Sequence, residues 1–303
     1  MSKKCEVPKG ISFARPLDGV AIVVTLVLCL SWGINQVAIK LAIPEIPALL
    51  QSAVRSTGAA IIVAAWAQWR RIPLFKSDGT LVPGLIAGFL FAIEFILLYR
   101  GLVLTTATRA VLFIYLAPFF VVIGGLLSGD RFGLSQWLGM LLSFAGVAIA
   151  FGVPSAAADP RQIVGDVMMV AGAVAWAATT LVIKASALSR VSAEKTLLYQ
   201  LVVSAPMQFF AAMAFGERLT GVPSVIALGS LVYQTVWVAS VTFVAWFALI
   251  VRYSASRLSV FTFLTPLFGV AAGHAVLGDP LTPAFALAVA MVAGGLVLVN
   301  WPR

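Results

Sequence analysis

The segment Thr106–Val122, TATRAVLFIYLAPFFVV, recurs in the same chain as Ser254–Val270, SASRLSVFTFLTPLFGV. At one constant offset, Ala107, Arg109, Phe113, Leu116, Pro118, Phe120 and Val122 recur as Ala255, Arg257, Phe261, Leu264, Pro266, Phe268 and Val270. An apolar chain gives chance matches among Ala, Leu and Val, but not a shared Arg, a shared Pro and two shared Phe in register. The chain therefore contains an internal repeat, which is common among membrane transporters.

Composition places this chain in a membrane. Of its 303 residues, 61% are hydrophobic and 10% charged, and the mean hydropathy is +1.05. No soluble domain of this size hides so much apolar surface. The apolar runs are long and continuous, which favours helices over a barrel. The net charge of +9 does not indicate nucleic acid, because the basic residues stand singly at the ends of apolar runs.

Prolines, glycines and charge clusters divide the sequence into ten candidate membrane helices. We predict an all-α membrane protein with a tail over 1–18, a first repeat over 19–152 and a second over 165–301. The predicted helices cover 19–42, 46–69, 83–103, 106–128, 133–152, 165–187, 195–215, 224–250, 255–278 and 281–301. Each is about twenty residues, the length that a bilayer core requires.

The basic residues predict the orientation. With both termini in the cytoplasm, fourteen Lys and Arg fall at inner helix ends and six at outer ends. Five helices per half is an odd number, so the second half enters the membrane from the opposite side. The sequence thus predicts two inverted five-helix repeats. Trp32, Ile39 and Lys40 of the first helix also recur as Trp176, Ile183 and Lys184 of the sixth.

Three strings resemble a known family, the EamA branch of the drug/metabolite transporter superfamily: WGINQVAIK at Trp32–Lys40, GLVLTTATRAVLFIYLAPFF at Gly101–Phe120, and LLSGDRFGLSQWLGMLLSFAGVAIA at Leu126–Ala150. In the second half the turn departs from the pattern, since Gly278-Asp279 is followed by Pro280. The resemblance implies inverted repeats around a cavity lined mainly by the first, third, fourth, sixth, eighth and ninth helices. It also implies export of small organic molecules, and length and character are most similar to YddG-type amino-acid exporters of bacterial inner membranes.

Two ionisable residues are predicted at similar depth inside the membrane, where each is costly. Glu94 is a candidate proton carrier or amine-binding group, and Arg55 a candidate clamp for a carboxylate. The alternative is a structural ion pair between them. His274 is the only histidine and a second candidate for proton coupling; alternatively it is a hydrogen-bonded residue near an interface.

Aromatic and amide side chains well inside the apolar runs suggest an amphiphilic binding cavity. The candidate substrate-binding residues are Trp32, Asn35, Gln36, Arg55, Glu94, Tyr99, Trp176, Tyr233, Gln234 and Trp237. The alternative for the tryptophans is packing between helices. A cavity of this kind suits a neutral or zwitterionic solute better than a nucleotide or sugar phosphate.

The repeated residues are candidates for moving parts. Arg109 and Arg257 begin matched helices at opposite membrane faces, so they are predicted as gates or, alternatively, as interfacial anchors. Pro118 and Pro266 lie within matched helices, where proline removes a backbone donor and bends the helix, so they are predicted as hinges.

Together these patterns predict a secondary active or facilitative transporter that exports amino acids, aromatic ones included, or similar metabolites by alternating access. The alternative is an exporter of other lipophilic metabolites or drugs. A membrane-embedded enzyme is disfavoured by the lone histidine and by the lack of a metal or phosphate motif, so we predict no cofactor and no metal. The expected partners of the transporter are the bilayer, a small-molecule substrate and protons. We expect a monomer, with a homodimer as the alternative.

Overall fold

The computed structural model describes residues 17–152, 159–278 and 281–301, and that part of the chain is mostly helical, with short connecting turns and no strands. Ten helices in it are long and apolar enough to cross a membrane, which confirms the predicted fold class. They are α1 (Gly19–Ala42), α2 (Ala48–Trp69), α3 (Leu81–Leu104), α4a (Ala107–Ile114) with α4b (Ala117–Leu127), α5 (Leu134–Phe151), α6 (Pro160–Ala185), α7 (Ala193–Ala214), α8 (Val225–Arg252), α9a (Ala255–Phe261) with α9b (Leu264–Leu277), and α10 (Pro283–Asn300). A 3-10 turn, Ala187–Arg190, follows α6. Residues 1–16 of the predicted tail and Asp279 lie outside the described residues.

The fourth and ninth helices are broken at matched positions. Pro118 is the second residue of α4b, and α4a ends at Ile114, four residues before it. Pro266 likewise lies near the start of α9b, four residues after Thr262, which caps α9a. A proline ring clashes with the carbonyl four residues earlier and offers no N–H to it. Each of the two helices is therefore fully interrupted where a kink was expected, and the two interruptions lie at matching positions of the internal repeat.

A second irregularity was not expected from the sequence. Residues Tyr233–Thr242 in the middle of α8 form a π-helical segment. The Ser240 hydroxyl donates to the Thr235 carbonyl, five residues back, at 2.8 Å. Such wide turns are rare and are found mostly at functional sites. In this chain the segment contacts both α1 and α2, beside the centre of the bundle.

The two halves interlock rather than lying side by side. The repeat pairs each helix of the first half with one of the second, so that α1 corresponds to α6 and α2 to α7. When the halves are exchanged in this way, the main helix contacts map onto one another: α1–α9b onto α6–α4b, α3–α6 onto α8–α1, and α2–α8 onto α7–α3. Two contacts map onto themselves, namely α2–α7 and α5–α10, whereas α4b–α9a would map onto α9b–α4a, which is not among the main contacts. These two pairs therefore lie on the pseudo-two-fold axis that relates the repeats.

Small residues allow the closest of these contacts. Gly139 of α5 and Gly295 of α10 face each other so closely that a Cβ on either would collide with the carbonyl of the other. Without a hydrophobic driving force inside lipid, helices associate through such close packing. The α5–α10 pair consequently forms a closely packed side of the bundle.

The bundle has two ends, which we name by the matched arginines. The Arg109 end contains the turns at residues 43–47, 105–106 and 215–224. There the Glu45 carboxylate accepts hydrogen bonds from the backbone N–H and hydroxyl of Ser224, which lower the pKa of Glu45. This contact ties the turn after α1 to the start of α8.

The Arg257 end contains residues 70–80, 128–133, 186–192 and 253–254. There Lys195 Nζ donates to Asp78 Oδ2 at 2.8 Å, and this bond, with a second from Thr80, lowers the pKa of Asp78 to about 2. Lys184 donates to the carbonyls of Ile250 and Tyr253 at 2.9 and 2.7 Å, which caps the end of α8. Polar contacts of its own thus hold together each end of the bundle.

Candidate functional site

A cavity of about 160 Å³ lies at the middle of the bundle. It is lined by Trp32, Asn35, Gln36, Arg55, Phe91, Glu94, Phe95, Leu98, Ile114, Tyr115, Trp176, Thr179, Thr180, Gln200, Val238, Phe243, Trp246, Phe247 and Thr265. Besides the six helices expected to line it, α2 contributes Arg55 and α7 contributes Gln200. The mid-membrane ionisable residues of the sequence therefore face one common space.

The only cationic side chain in this lining is Arg55. It is 2% exposed, and its guanidinium lies over the ring of Phe95 at 4.4 Å. Its Nε and Nη2 atoms have no hydrogen-bond partner. Among the residues that the structure describes, no carboxylate lies within salt-bridge distance of it, so the predicted structural ion pair with Glu94 is not formed.

Glu94 is the only carboxylate in the same lining and is 8% exposed. Two further lining atoms, Asn35 Oδ1 and Gln200 Oε1, are buried acceptors without a partner. Each such atom costs about 1–3 kcal/mol when left unsatisfied. Residues that line the cavity thus carry buried donors, on Arg55, and buried acceptors, on Asn35 and Gln200, that have no hydrogen-bond partner.

Aromatic rings form much of the remaining wall. The rings of Trp32 and Trp246 meet edge to face at 5.2 Å, and Tyr115 meets Trp176 in the same way at 6.3 Å. Trp32 Nε1 also donates to Thr242 Oγ1 at 2.9 Å, which fixes its ring against the π-helical segment. These rings are held in place rather than free to fill the cavity.

Four residues predicted to bind substrate lie outside the cavity, and the sequence prediction needs correction there. Tyr99 is 2% exposed and packs with Leu49 and Ala212 in an apolar cluster. The Tyr233 hydroxyl donates to the Ser31 carbonyl at 3.0 Å, and Trp237 Nε1 donates to Ser31 Oγ at 2.9 Å. Gln234 donates to Gln51 at 3.0 Å. The π-helical segment changes the angular spacing of α8, so these side chains join helices instead of lining the cavity.

Several lining residues were missed by sequence reasoning, although one signal was present. Phe91, Glu94, Phe95 and Leu98 follow the 3–4 spacing of a single helix face, which predicts that they share an environment. Tyr115 was not foreseen, because it lies at the break between α4a and α4b. Phe243 and Phe247 follow the π-helical segment, where helical spacing no longer predicts the face.

The predicted gate residues have different surroundings. Arg109 binds Asp166 of α6 through Nε, at 3.1 and 3.0 Å, and through Nη2. Thr105 adds a hydrogen bond to the same carboxylate at 2.6 Å. Arg257 has no carboxylate partner among the described residues. His274 is exposed near the end of α9b and does not line the cavity.

Comparisons with known proteins agree with this architecture. A model of the EamA-like transporter family matches residues 19–152 and 163–301. An uncharacterised transporter of Archaeoglobus fulgidus is 26% identical over 244 residues, which cover 79% of this chain and 83% of the relative. The uncharacterised transporter YvbV of Bacillus subtilis is 25% identical over 280 residues, 90% of this chain and 89% of YvbV.

Two further similarities concern the membrane location and the fold. The uncharacterised inner membrane transporter YedA of Escherichia coli is 21% identical over 279 residues, 90% of this chain and 88% of YedA. One crystal structure superposes with a TM-score of 0.81 at 19% identity, over 93% of this chain and 96% of that one. At this identity the superposition establishes the fold alone.

Proposed function

The chain belongs to the EamA-like transporter family, and on that premise we propose that it exports amino acids, or metabolites of similar size, across the bacterial inner membrane by alternating access. Membership in this family makes the protein a multi-pass membrane transporter. The amino-acid substrate, the YddG-like specificity and the direction of transport are the parts that we propose.

The observation that carries the proposal is a basic and an acidic side chain, Arg55 and Glu94, that line one cavity without forming a salt bridge with each other. The Arg55 guanidinium has two unused N–H groups, and guanidinium binds carboxylates in bidentate fashion. Glu94, with the amide oxygens of Asn35 and Gln200, offers acceptors for an ammonium group. A zwitterionic amino acid satisfies both ends at once.

The size and walls of the cavity narrow the substrate further. An apolar cavity of about 150 Å³ in another protein holds one benzene molecule. A space of about 160 Å³ walled by Trp32, Trp176 and Phe243 therefore suits a small solute with an aromatic or apolar side chain. A sugar phosphate or nucleotide requires several cationic groups, and the lining offers Arg55 alone.

The remaining features support alternating access. We propose that the ion pair of Arg109 with Asp166 acts as a gate at one end of the route, and that the breaks before Pro118 and Pro266 act as matched hinges. We propose that the Arg109 end faces the periplasm and that both termini are cytoplasmic, as the distribution of Lys and Arg favours. A cavity enclosed by the helices of one chain supports a working monomer with repeats over 19–152 and 165–301.

A comparison of three related solutes tests the substrate assignment. In proteoliposomes we expect counterflow of labelled phenylalanine, but little of phenethylamine or phenylpropionate, which each lack one charged end. Arg55→Gln should abolish the preference for phenylalanine over phenethylamine, whereas Arg218→Gln, which removes an exposed arginine, should keep it. Equal transport of all three solutes by the unmodified protein would overturn the zwitterion assignment.

The second candidate is export of lipophilic metabolites or drugs, which the aromatic walls favour. It predicts that phenethylamine and larger hydrophobic cations are transported at least as well as phenylalanine. It also predicts that Arg55→Gln has no effect on this transport, because a guanidinium has no role in binding a lipophilic cation.

A further inference from the structure

The two helix breaks meet at a pair of aromatic rings. Tyr115 caps the end of α4a, and Phe263 stands between the cap of α9a and the first residue of α9b. The offset that matches Arg109 with Arg257 also matches Tyr115 with Phe263. The two ring centroids lie 6.4 Å apart, within the range of aromatic pairs, and both side chains are buried. Because each residue contacts its own counterpart, this contact lies on the pseudo-two-fold axis.

Each of the two rings is held by different neighbours on its other sides. Tyr115 lines the cavity and meets Trp176 edge to face at 6.3 Å. Phe263 is fully buried and lies outside the cavity lining. It meets Phe119 of α4b and Phe144 of α5 edge to face, at 6.3 and 6.1 Å. A row of rings therefore runs from the cavity through both breaks to the α5–α10 side of the bundle.

Close packing makes this contact a mechanical link between the breaks. A change of angle at one break displaces the ring that stands there, and a closely packed interior passes such a displacement to the next ring. The short segment α4a lies at the Arg109 end of the bundle and α9a at the Arg257 end. The two breaks thus belong to opposite ends, and a link between them makes the opening of one end depend on the state of the other.

We propose that the contact of Tyr115 with Phe263 couples the two breaks, so that the fourth and ninth helices bend together, and that Tyr115 is the positioning residue that joins this motion to the cavity. The proposal rests on the proposed function in one respect, namely that these two helices bend during alternating access. Coupled breaks prevent both ends from being open at once, which is the condition for transport without leakage. A solute bound against the Tyr115 ring contacts the linked breaks directly.

Hydrogen exchange of backbone amides tests the coupling without any substrate. Pro266→Ala restores the N–H that the ninth helix lacks at its break and stiffens that helix. In the full-length protein in nanodiscs, this variant should slow exchange at residues 113–117 of the fourth helix by about 2- to 12-fold, the effect that one aromatic contact can transmit. The response should disappear when Pro266→Ala is made in a Tyr115→Leu background. It should be retained in a Tyr115→Phe background, which keeps the ring.

A matched control separates coupling from ordinary packing. Phe144→Leu removes another ring that meets Phe263, at 6.1 Å, but Phe144 stands at neither break, so the response to Pro266→Ala should persist in this variant. If Tyr115→Leu does not fold, Phe263→Leu removes the same contact from the other side. Unchanged exchange at residues 113–117 in Pro266→Ala would show that the breaks move independently. A response that persists without the contact would equally overturn the proposal.

Transport kinetics distinguish the coupling from the substrate assignment. Because Phe263 lies outside the cavity lining, Phe263→Leu should lower kcat by about 2- to 12-fold at an unchanged KM, whereas Phe144→Leu should keep both. A normal kcat in Phe263→Leu would contradict a role of the contact in transport. Since the exchange experiment uses no substrate, a protein without phenylalanine counterflow overturns the proposed function and leaves the exchange result to decide the coupling.

Discussion

Arg109 is bound by Asp166, whereas Arg257, which repeats Arg109 in the second half, has no carboxylate partner among the described residues. The match of Trp32 with Trp176 aligns Asp166 with Ile22 of α1, which explains the difference because Ile22 offers no charge. The matched arginines therefore have different charge surroundings at the two ends of the bundle. The ion pair at the Arg109 end involves the matched arginine itself, whereas the ion pair at the Arg257 end joins Lys195 and Asp78.

Asp166→Asn should favour opening at the Arg109 end. Hydrogen bonds to a charged group are each worth about 1.5–3 kcal/mol, so the open state should gain about 10- to 150-fold in population. A cysteine placed at the cavity residue Ile114, in a background without Cys5 and Cys29, should react faster with an impermeant thiol reagent added from the Arg109 side. Unchanged reactivity would show that this ion pair is an anchor, not a gate. Arg161→Gln, at an exposed arginine at the same end, serves as control.

Trp176→Leu should raise the KM for an aromatic substrate. A ring-to-ring contact contributes about 0.5–1.5 kcal/mol beyond its buried area, so we expect about a 2- to 12-fold increase in KM. Trp66→Leu removes a tryptophan that is 46% exposed on α2 and should leave KM unchanged. Equal KM values in both variants would place substrate elsewhere than against the Trp176 wall.

Pro118→Ala should slow turnover more than it lowers stability, because restoring the N–H and removing the ring allow α4a and α4b to join into one stiff helix. Initial rates of counterflow and the melting temperature, measured on the same preparation, separate the two effects. Pro206 lies inside the continuous helix α7, so Pro206→Ala controls for loss of a proline without a break. A Pro118→Ala protein with normal turnover would rule out a hinge there.

Glu94→Gln should abolish accumulation driven by a pH gradient while retaining counterflow. Counterflow exchanges solute for solute and needs no net proton movement, so a neutral amide can support it. His274→Gln should retain both activities, because His274 is exposed and distant from the cavity lining. If His274→Gln alone loses gradient-driven accumulation, coupling belongs to His274. If the unmodified protein shows no such accumulation, transport is passive.

The pair of Asp78 with Lys195 predicts a specific dependence of stability on pH. The pKa of Asp78 is lowered to about 2 in the folded protein, from an ordinary value near 3.8. The stabilisation is therefore complete above pH of about 4 and is lost as the pH falls toward 2. Asp78→Asn should melt lower than the unmodified protein at pH 7, and the difference should shrink between pH 4 and pH 3. A difference that is constant over this range would contradict the assignment, and Lys195→Gln should remove most of it.

The sequence predicts the fold well because a membrane allows only a few kinds of backbone structure to span it. Ten apolar runs of sufficient length, broken by Pro, Gly and charge, can form only spanning helices, and the matched Arg109 and Arg257 reveal the duplication. The predicted helix ends fall within a few residues of the observed ones, apart from the start of α6. The sequence does not reveal local backbone geometry. No residue pattern in YQTVWVASVT, Tyr233–Thr242, indicates a π-helical segment.

The same reason separates the candidate residues that line the cavity from those that do not. Trp32, Asn35, Gln36, Arg55, Glu94 and Trp176 lie on regular helices, where spacing predicts a common face, and all six line the cavity. Tyr233, Gln234 and Trp237 lie in the π-helical segment, where each turn holds more residues and the predicted face rotates away. Tyr99 is on a regular helix, but a single sequence does not show that an apolar cluster covers it.

The contacts that map onto themselves have a consequence for how such a chain arises. In α2–α7 and α5–α10, each helix meets its own counterpart. A half-length precursor would therefore have formed these contacts between two identical subunits inserted in opposite directions. Each subunit would already have carried the surfaces that meet in the fused chain. Fusion of the two genes would then have freed each copy to change alone, so that charges such as Arg55, Glu94 and Asp166 could appear in one half only.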